Sequence, residues 1–209
     1  APNAGTASQG VTFTPTDTAN YNSATTTVSV VVNPANLPAV TFTAPGSLVY
    51  SGTAKVYTAS ATGPGSLTLT YSGRNSTTYN STNAPTNVGD YTVTAKTSDA
   101  NYSGSQAQNF AITAKGLTIS GASATSRAYN GSTNVLVSGG SLSGVESGDT
   151  GNVTLGGTPS GTVASAGVGN GKAVTVTGYT ISGSASGNYS LAQPTGLTVD
   201  RSEEHTSEL

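Results

Sequence analysis

Short segments of alternating apolar and polar residues recur along almost the whole chain. Alternation with a period of two is typical of β-strands that bury one face, and Gly, Asn, Asp and Pro between the segments supply turn residues. No segment shows a helical period of useful length. The pattern predicts an all-β protein with strands at 10–14, 26–33, 40–42, 49–57, 67–71, 91–95, 110–112, 117–119, 135–137, 153–155, 174–176, around 181, and at 197–199.

Two short motifs recur in the same order and divide the chain into modules. One is an Asn-Tyr pair and the other is a Tyr-x-Gly turn. They occur at Asn20-Tyr21, Asn101-Tyr102 and Asn188-Tyr189, and at Tyr50 and Tyr129. A repeat of roughly 80 residues predicts modules of one general plan. We assign 1–34 to the C-terminal fragment of a first module, 36–114 to a second module and 115–200 to a third. The fragment 1–34 resembles the C-terminal end of an Ig-like repeat.

The second and third modules resemble two known domain families. The second carries VYSGTA at 49–54, APTNVGDYTVTA at 84–95 and DANY at 99–102, and it resembles the MBG domain of the YGX type. The third carries AYNGST at 128–133, LSGVESGD at 142–149, VGNGKAVTVTG at 168–178 and GNYSL at 187–191, and it resembles the YDG domain. Asn130 replaces the Asp of the Tyr-Asp-Gly motif, a change that a tight turn before Gly tolerates.

The resemblance implies both an architecture and a setting. The architecture is a tandem of small β-sandwich modules of Ig-like type, with β-grasp-like small β modules as the alternative. Modules of these families occur as tandem repeats in large secreted or surface-displayed bacterial proteins, including filamentous-haemagglutinin-type adhesins. We therefore expect an extracellular or cell-surface location.

Composition excludes several functions. A formal net charge of −2, with seven basic residues spread singly, gives no electrostatic footprint for nucleic acid. No apolar run approaches the roughly 20 residues of a membrane-spanning helix. The lack of Cys excludes disulfides, thiolate zinc sites and cysteine nucleophiles. The 36 Thr and 29 Ser suit exposed strand positions around small cores.

Candidate chemistry is sparse, and we assign no catalytic residue, no cofactor and no metal ligand. The Gly-rich segment 167–173 has Ala166 and Ala173 where a phosphate-binding loop needs Gly and Ser or Thr, so we interpret it as a turn before a strand. Glu146 and Asp149 are too few carboxylates for more than a weak calcium site. An internal Lys–Asn amide bond is a remote hypothesis that a mass deficit of about 17 Da would support.

The tyrosines suggest either packing or sugar stacking. The chain has ten Tyr and no Trp. Because Tyr21, Tyr102 and Tyr189 recur at one module position, we predict a packing role, with the ring at the core edge and the hydroxyl bonded to backbone.

The last nine residues, 201–209, differ from the rest. They contain the only His and three of the four Glu, and they resemble the translation of a common short-read sequencing adapter. We interpret them as an artefactual tail, with a genuine acidic tail as the alternative.

Together these observations predict a non-catalytic structural spacer within an adhesin-like bacterial protein. The expected partners are neighbouring repeat modules of the same chain, with an extracellular glycan or host surface contacted through other regions. The alternatives are a module that binds a glycan or host protein, and accessory domains of a secreted enzyme. Tyrosines buried in the cores would favour the spacer, whereas an exposed tyrosine cluster would favour glycan binding.

Overall fold

The computed structural model describes residues 3–203. Its residues form two compact units, and each unit is assembled from three stretches of the chain. The first contains residues 3–47, 55–85 and 90–110, and the second contains residues 48–54, 86–89 and 111–203. The backbone therefore passes from one unit to the other after residues 47, 54, 85, 89 and 110.

Ten strands lie wholly or mostly in the first unit. They are β1 (Gly5–Phe13), β2 (Ala24–Val32), β3 (Ala35–Asn36), β4 (Thr41–Thr43), β5 (Thr58–Ser60), β6 (Leu67–Gly73), β7 (Asn80–Ser81), β8 (Gly89–Thr97), β9 (Tyr102–Ser103) and β10 (Ser105–Ile112). Strands β1 and β2 form an antiparallel hairpin, and β10, β8, β6 and β7 form a sheet in that order. Strands β4 and β5 pair antiparallel, whereas β3 and β9 pair parallel.

The first unit has an aromatic core. The ring of Phe110 stacks on that of Tyr91 at 5.4 Å between centroids and lies 4.7 Å from that of Tyr57. The Tyr71 ring meets Phe110 edge-on at 6.3 Å, and its hydroxyl accepts a hydrogen bond from the Tyr57 N–H. Val93 of β8 is fully buried in the same unit. Aromatic rings supply much of the buried apolar surface of so small a unit.

Seven strands form one mixed sheet in the second unit. They are β11 (Lys115–Ala124), β12 (Arg127–Ala128), β13 (Asn134–Ser143), β14 (Thr154–Val163), β15 (Gly169–Ser182), β16 (Tyr189–Leu191) and β17 (Thr198–Ser202). Their order in the sheet is β12-β17-β15-β14-β13-β11-β16. Short 3₁₀ turns at Ser147–Asp149 and Ser186–Asn188 precede β14 and β16.

The second unit has an aliphatic core beneath strands that bend at glycines. Strand β13 pairs with β14 through 134–136 and with β11 through 137–143, and Gly139 and Gly140 have φ of 72° and 102° in its second part. A positive φ suits glycine, because other residues are strained there. The core side chains are Val135, Val137, Val163, Val174, Val176, Tyr179 and Val199.

The all-β prediction is confirmed, but the strand predicted at 49–57 is wrong. Only Val49 makes an isolated bridge, with Thr113, and Gly52 turns the chain with a φ of 68°. The N–H groups of Tyr50 and Lys55 donate instead to the carbonyls of Thr113 and Pro85. Backbone groups are therefore satisfied without a strand ladder. Tyr50, Lys55 and Tyr57 are buried outside a sheet, whereas Val49 and Val56 are exposed, so burial does not follow the alternation seen in the sequence.

The segment interpreted as a tail is described only up to residue 203, and residues 204–209 lie outside the described range. Arg201 and Ser202 end β17, and Arg201 is only 2% exposed. Its guanidinium donates hydrogen bonds to the carbonyls of Ser132 and Asn134. Among the described residues, the Nε atoms of Arg201 and Arg127 are buried without a hydrogen-bond partner, an arrangement that costs free energy.

Candidate functional site

The third Asn-Tyr pair joins segments that are far apart in sequence. The Val88 N–H donates a hydrogen bond of 2.9 Å to Asn188 Oδ1, across 100 positions of the chain. The next residue, Tyr189, begins β16, which pairs parallel with the start of β11 through Lys115 to Leu117. All of these residues belong to the second unit. The pair therefore binds both the residue before β8 and the first residues of β11.

Side chains reinforce this contact through one carboxylate. Asp149 Oδ2 accepts hydrogen bonds from the hydroxyls of Tyr50, at 2.7 Å, and Tyr189, at 2.5 Å. The two rings meet edge-on with centroids 5.3 Å apart. The Tyr189 hydroxyl also accepts a hydrogen bond of 3.0 Å from the Glu146 N–H. We call Tyr50, Asp149 and Tyr189 the tyrosine–aspartate cluster.

Local structure explains how Asp149 reaches both hydroxyls. It ends the 3₁₀ turn Ser147–Asp149, in which its N–H donates to the Glu146 carbonyl. Tyr50 lies on the irregular segment 48–54, beside its backbone bond to Thr113. The tyrosines are 4% and 6% exposed, so the hydroxyls are largely shielded from solvent. Distances of 2.5–2.7 Å are typical of O–H···O⁻ bonds, which are about twice as strong as neutral ones.

The electrostatics of the cluster favour neutral tyrosines. Burial, and then the hydrogen bond to Asp149, raise the pKa of Tyr50 from 10.0 to about 12. The same two causes raise the pKa of Tyr189 to about 12. At neutral pH both hydroxyls are therefore protonated donors and neither is activated as a base or nucleophile. Beside them, Lys115 Nζ lies 2.6 Å from Glu146 Oε1 in a half-buried ion pair.

The second Asn-Tyr pair makes the same backbone contacts within the first unit. The Ala4 N–H donates to Asn101 Oδ1 at 2.7 Å, as Val88 does to Asn188. Ala35 pairs parallel with Tyr102, as Lys115 does with Tyr189. We call this combination the Asn-Tyr docking contact. In both places the Asn accepts the N–H of the residue directly before a long strand.

The three recurring tyrosines have different environments. Tyr189 is buried, and its hydroxyl is bonded to backbone as predicted from the sequence. Tyr102 is half-buried against Gly63, where an added methyl group would lie 2.5 Å from its hydroxyl. Tyr21 is 66% exposed, so the packing prediction is wrong for that residue as the structure describes it. Asp17 and Asp99 accept local backbone hydrogen bonds in the turns before the first two pairs.

The residues considered for other chemistry have structural partners. Glu146 and Asp149 are bonded to Lys115 and to the two tyrosines, and residues 3–203 contain no group of three or more His, Asp or Glu side chains placed to bind a metal. In the Gly-rich segment, the Gly171 N–H donates to Asp200 Oδ1 at the start of β15. Strand β15 begins at Gly169, so only residues 167 and 168 of the segment precede the strand, which starts earlier than the sequence interpretation placed it.

Sequence reasoning did not identify the cluster as a unit. Tyr50, Glu146, Asp149 and Tyr189 were each noted, but for separate reasons. The recurrence of the Asn-Tyr and Tyr-x-Gly motifs indicated structural positions. It did not indicate partners, because Tyr50 and Asp149 are 99 positions apart.

Comparison with known families identifies two domains in the chain. Within residues 3–203, no helix is long and apolar enough to cross a membrane. No curated protein and no solved structure matches the chain significantly. Residues 46–116 match the MBG domain family, and residues 113–196 match the YDG domain family. The chain therefore carries an MBG domain followed by a YDG domain, two domains that are found in surface-type repeat proteins.

Proposed function

We propose that this chain is a non-catalytic structural spacer in a large secreted or surface-displayed bacterial protein of adhesin type. The observation that carries the proposal is the tyrosine–aspartate cluster, in which Tyr50 of the MBG domain bonds to a carboxylate of the YDG domain. A spacer must keep successive domains from moving independently. Bonds between residues of the two domains serve that purpose.

The contact holds segments 48–54 and 86–89 of the MBG domain against the YDG domain within one compact unit. Hydrogen bonds to charged groups contribute about 1.5–3 kcal/mol each, and the cluster contains two of them. The bond from Val88 to Asn188 and the parallel pairing of β11 with β16 add backbone contacts. Domains connected only by a flexible linker move relative to one another by default. Segments 48–54 and 86–89 are instead bonded to YDG residues of the same compact unit.

The distribution of tyrosines favours a spacer over a glycan-binding module. Six of the ten are buried: Tyr50, Tyr57, Tyr71, Tyr91, Tyr179 and Tyr189. Tyr21 and Tyr129 are exposed, one near β1 and β2 and the other beside β12. Sugar stacking needs exposed rings grouped on one surface. The neighbouring modules of the same chain are therefore the partners we propose, and a glycan or host surface would be contacted through other regions.

Single-molecule force spectroscopy on the full chain tests the proposal. We expect discrete unfolding events, because a spacer must resist extension. Asp149→Asn removes the charge that accepts both tyrosine hydroxyls, and it should lower the force of the event assigned to the YDG domain. Asp90→Asn is the matched control, since Asp90 is a half-buried carboxylate in the first unit that accepts a hydrogen bond from Asn75.

Two results would contradict the spacer. One is extension of the native chain without discrete events, which would show that its domains bear no load. The other is saturable binding of a glycan to the full chain, measured on an array of soluble glycans. The second result would assign the chain to the binding class instead.

A further inference from the structure

The hairpin of β1 and β2 has one apolar face and one polar face. Residues opposite each other in an antiparallel pair share a face. The apolar side chains on one face are Ala7, Val11, Phe13, Ala24, Val28, Val30 and Val32. Gln9 and Thr26 also lie on this face. Ser and Thr predominate on the other face, where Val31 is the exposed apolar exception. Phe13 is 67% exposed and Val11 and Val28 are each 45% exposed, although soluble proteins rarely leave a contiguous apolar patch uncovered.

The equivalent hairpin of the MBG domain shows how such a face is covered. Strands β8 and β10 also enclose an Asn-Tyr pair, and there Val93 and Ala95 are fully buried. Phe110 of β10 is 7% exposed and packs against the rings of Tyr57 and Tyr71. Those tyrosines belong to residues 35–88, which we call the MBG body. In that domain, therefore, the body that precedes the hairpin in sequence covers its apolar face.

The two hairpins end at equivalent contacts. Ala4 and Val88 are the residues directly before β1 and β8, and each donates its N–H to the Asn of the next module. Ala35 and Lys115 each come three positions after the last residue of β2 or β10 and pair parallel with the Tyr of that module. The hairpin β1–β2 therefore begins directly after a docking contact, which Ala4 makes with Asn101.

We propose that the apolar face of β1–β2, with Tyr21 at its loop, is a docking surface for the body of an MBG-type module placed N-terminal to Gly5 in the same polypeptide. The proposal extends the proposed spacer function, because it adds a further coupled module. By analogy with Ala35–Asn36 on Tyr102, the first residues of that body would pair with Tyr21 and Asn22. The exposed Tyr21 would then be buried like Tyr189.

An extended chain tests the docking surface directly. Residues 35–88 are copied and joined to Gly5, so that a second Val88 takes the place of Ala4. Hydrogen exchange of the β1 and β2 amides is compared by NMR with that of the original chain. A two-stranded hairpin is marginally stable alone, so we expect exchange to slow by about 100-fold or more when the body covers it.

A polar-face variant is the matched control. Val11→Ser with Val28→Ser in the extended chain should return exchange to the rate of the original chain, because the face no longer has apolar side chains to bury. A second chain, in which residues 5–32 replace 89–112, tests the same fit without an added module. If exchange in the hairpin slows in neither the extended nor the replacement chain, the proposal is overturned.

Two further outcomes separate this proposal from its alternatives. If exchange in the original chain slows as protein concentration rises, a second copy covers the face, and that result also overturns the proposal. The Asp149→Asn force experiment involves no residue of β1 or β2. The spacer proposal can therefore fail while the docking surface is confirmed, and the reverse is equally observable.

Discussion

The Asn101 and Asn188 contacts share a backbone arrangement but differ in their side chains. In both, an Asn oxygen accepts a preceding N–H, and the adjacent Tyr begins a short parallel pairing. At Asn188 the neighbouring Tyr189 also bonds to Asp149, together with Tyr50. Tyr102 instead lies half-buried against Gly63. The comparison indicates that the Asn-Tyr pair supplies the docking geometry, and that the carboxylate adds strength.

The largest expected effect is on stability, and it should differ between the Tyr189 and Tyr102 contacts. Tyr189→Ala removes a buried ring and two hydrogen bonds, and should lower the free energy of unfolding of the second unit by about 3–5 kcal/mol. Tyr102→Ala should cost the first unit about half of that, since its ring is half-buried. Denaturant unfolding followed by hydrogen exchange measures the free energy of unfolding of each unit. Equal losses would contradict the added strength assigned to the cluster.

Alkaline pH should weaken the cluster. The pKa of Tyr50 and that of Tyr189 are raised to about 12, so folding favours their neutral forms. This stabilisation is complete below the unfolded pKa of 10.0 and is lost as pH rises through 12. Unfolding of the second unit, measured between pH 9 and about pH 12, should therefore become easier with pH. The Tyr50→Phe, Tyr189→Phe double variant should show a shallower dependence, and an unchanged slope would contradict the assignment.

The two Asn side chains that accept a backbone N–H should contribute equally to stability. Asn188→Ala and Asn101→Ala each remove the acceptor of one backbone N–H, so each should lower the stability of its own unit by about 1 kcal/mol. Chemical denaturation of the two variants gives both values. A loss at Asn188 with none at Asn101 would show that the two contacts are not equivalent.

The smallest expected effect concerns the ion pair beside the cluster. Lys115→Gln removes the 2.6 Å contact between Lys115 Nζ and Glu146 Oε1. Both side chains of this ion pair are partly exposed to solvent. Pairs of this kind usually contribute about 0–1 kcal/mol, and salt screens them. We expect a loss below about 1 kcal/mol that shrinks further in high salt. A larger, salt-independent loss would place the ion pair within the coupled cluster.

Local sequence patterns predicted the strands better than they predicted which distant residues contact each other. Alternation located β8 and β15, because one-sided burial leaves a period of two. The same rule failed at 49–57, where Tyr50 and Lys55 are buried without a ladder. Partners such as Val88 and Asn188 are 100 positions apart, and no local pattern encodes that distance. The repeat marked the position of Asn188, whereas its role depends on a neighbouring module.

Native-state hydrogen exchange tests most directly whether segments 48–54 and 86–89 are coupled to the YDG domain. The amides of Tyr50 and Val88 bond to Thr113 and Asn188, and that of Val174 reports on the YDG core. We predict that all three open with one free energy, which Asp149→Asn lowers together, while the Lys55 amide is unaffected. Exchange of Tyr50 and Val88 together with Lys55, independent of Asp149, would contradict the account.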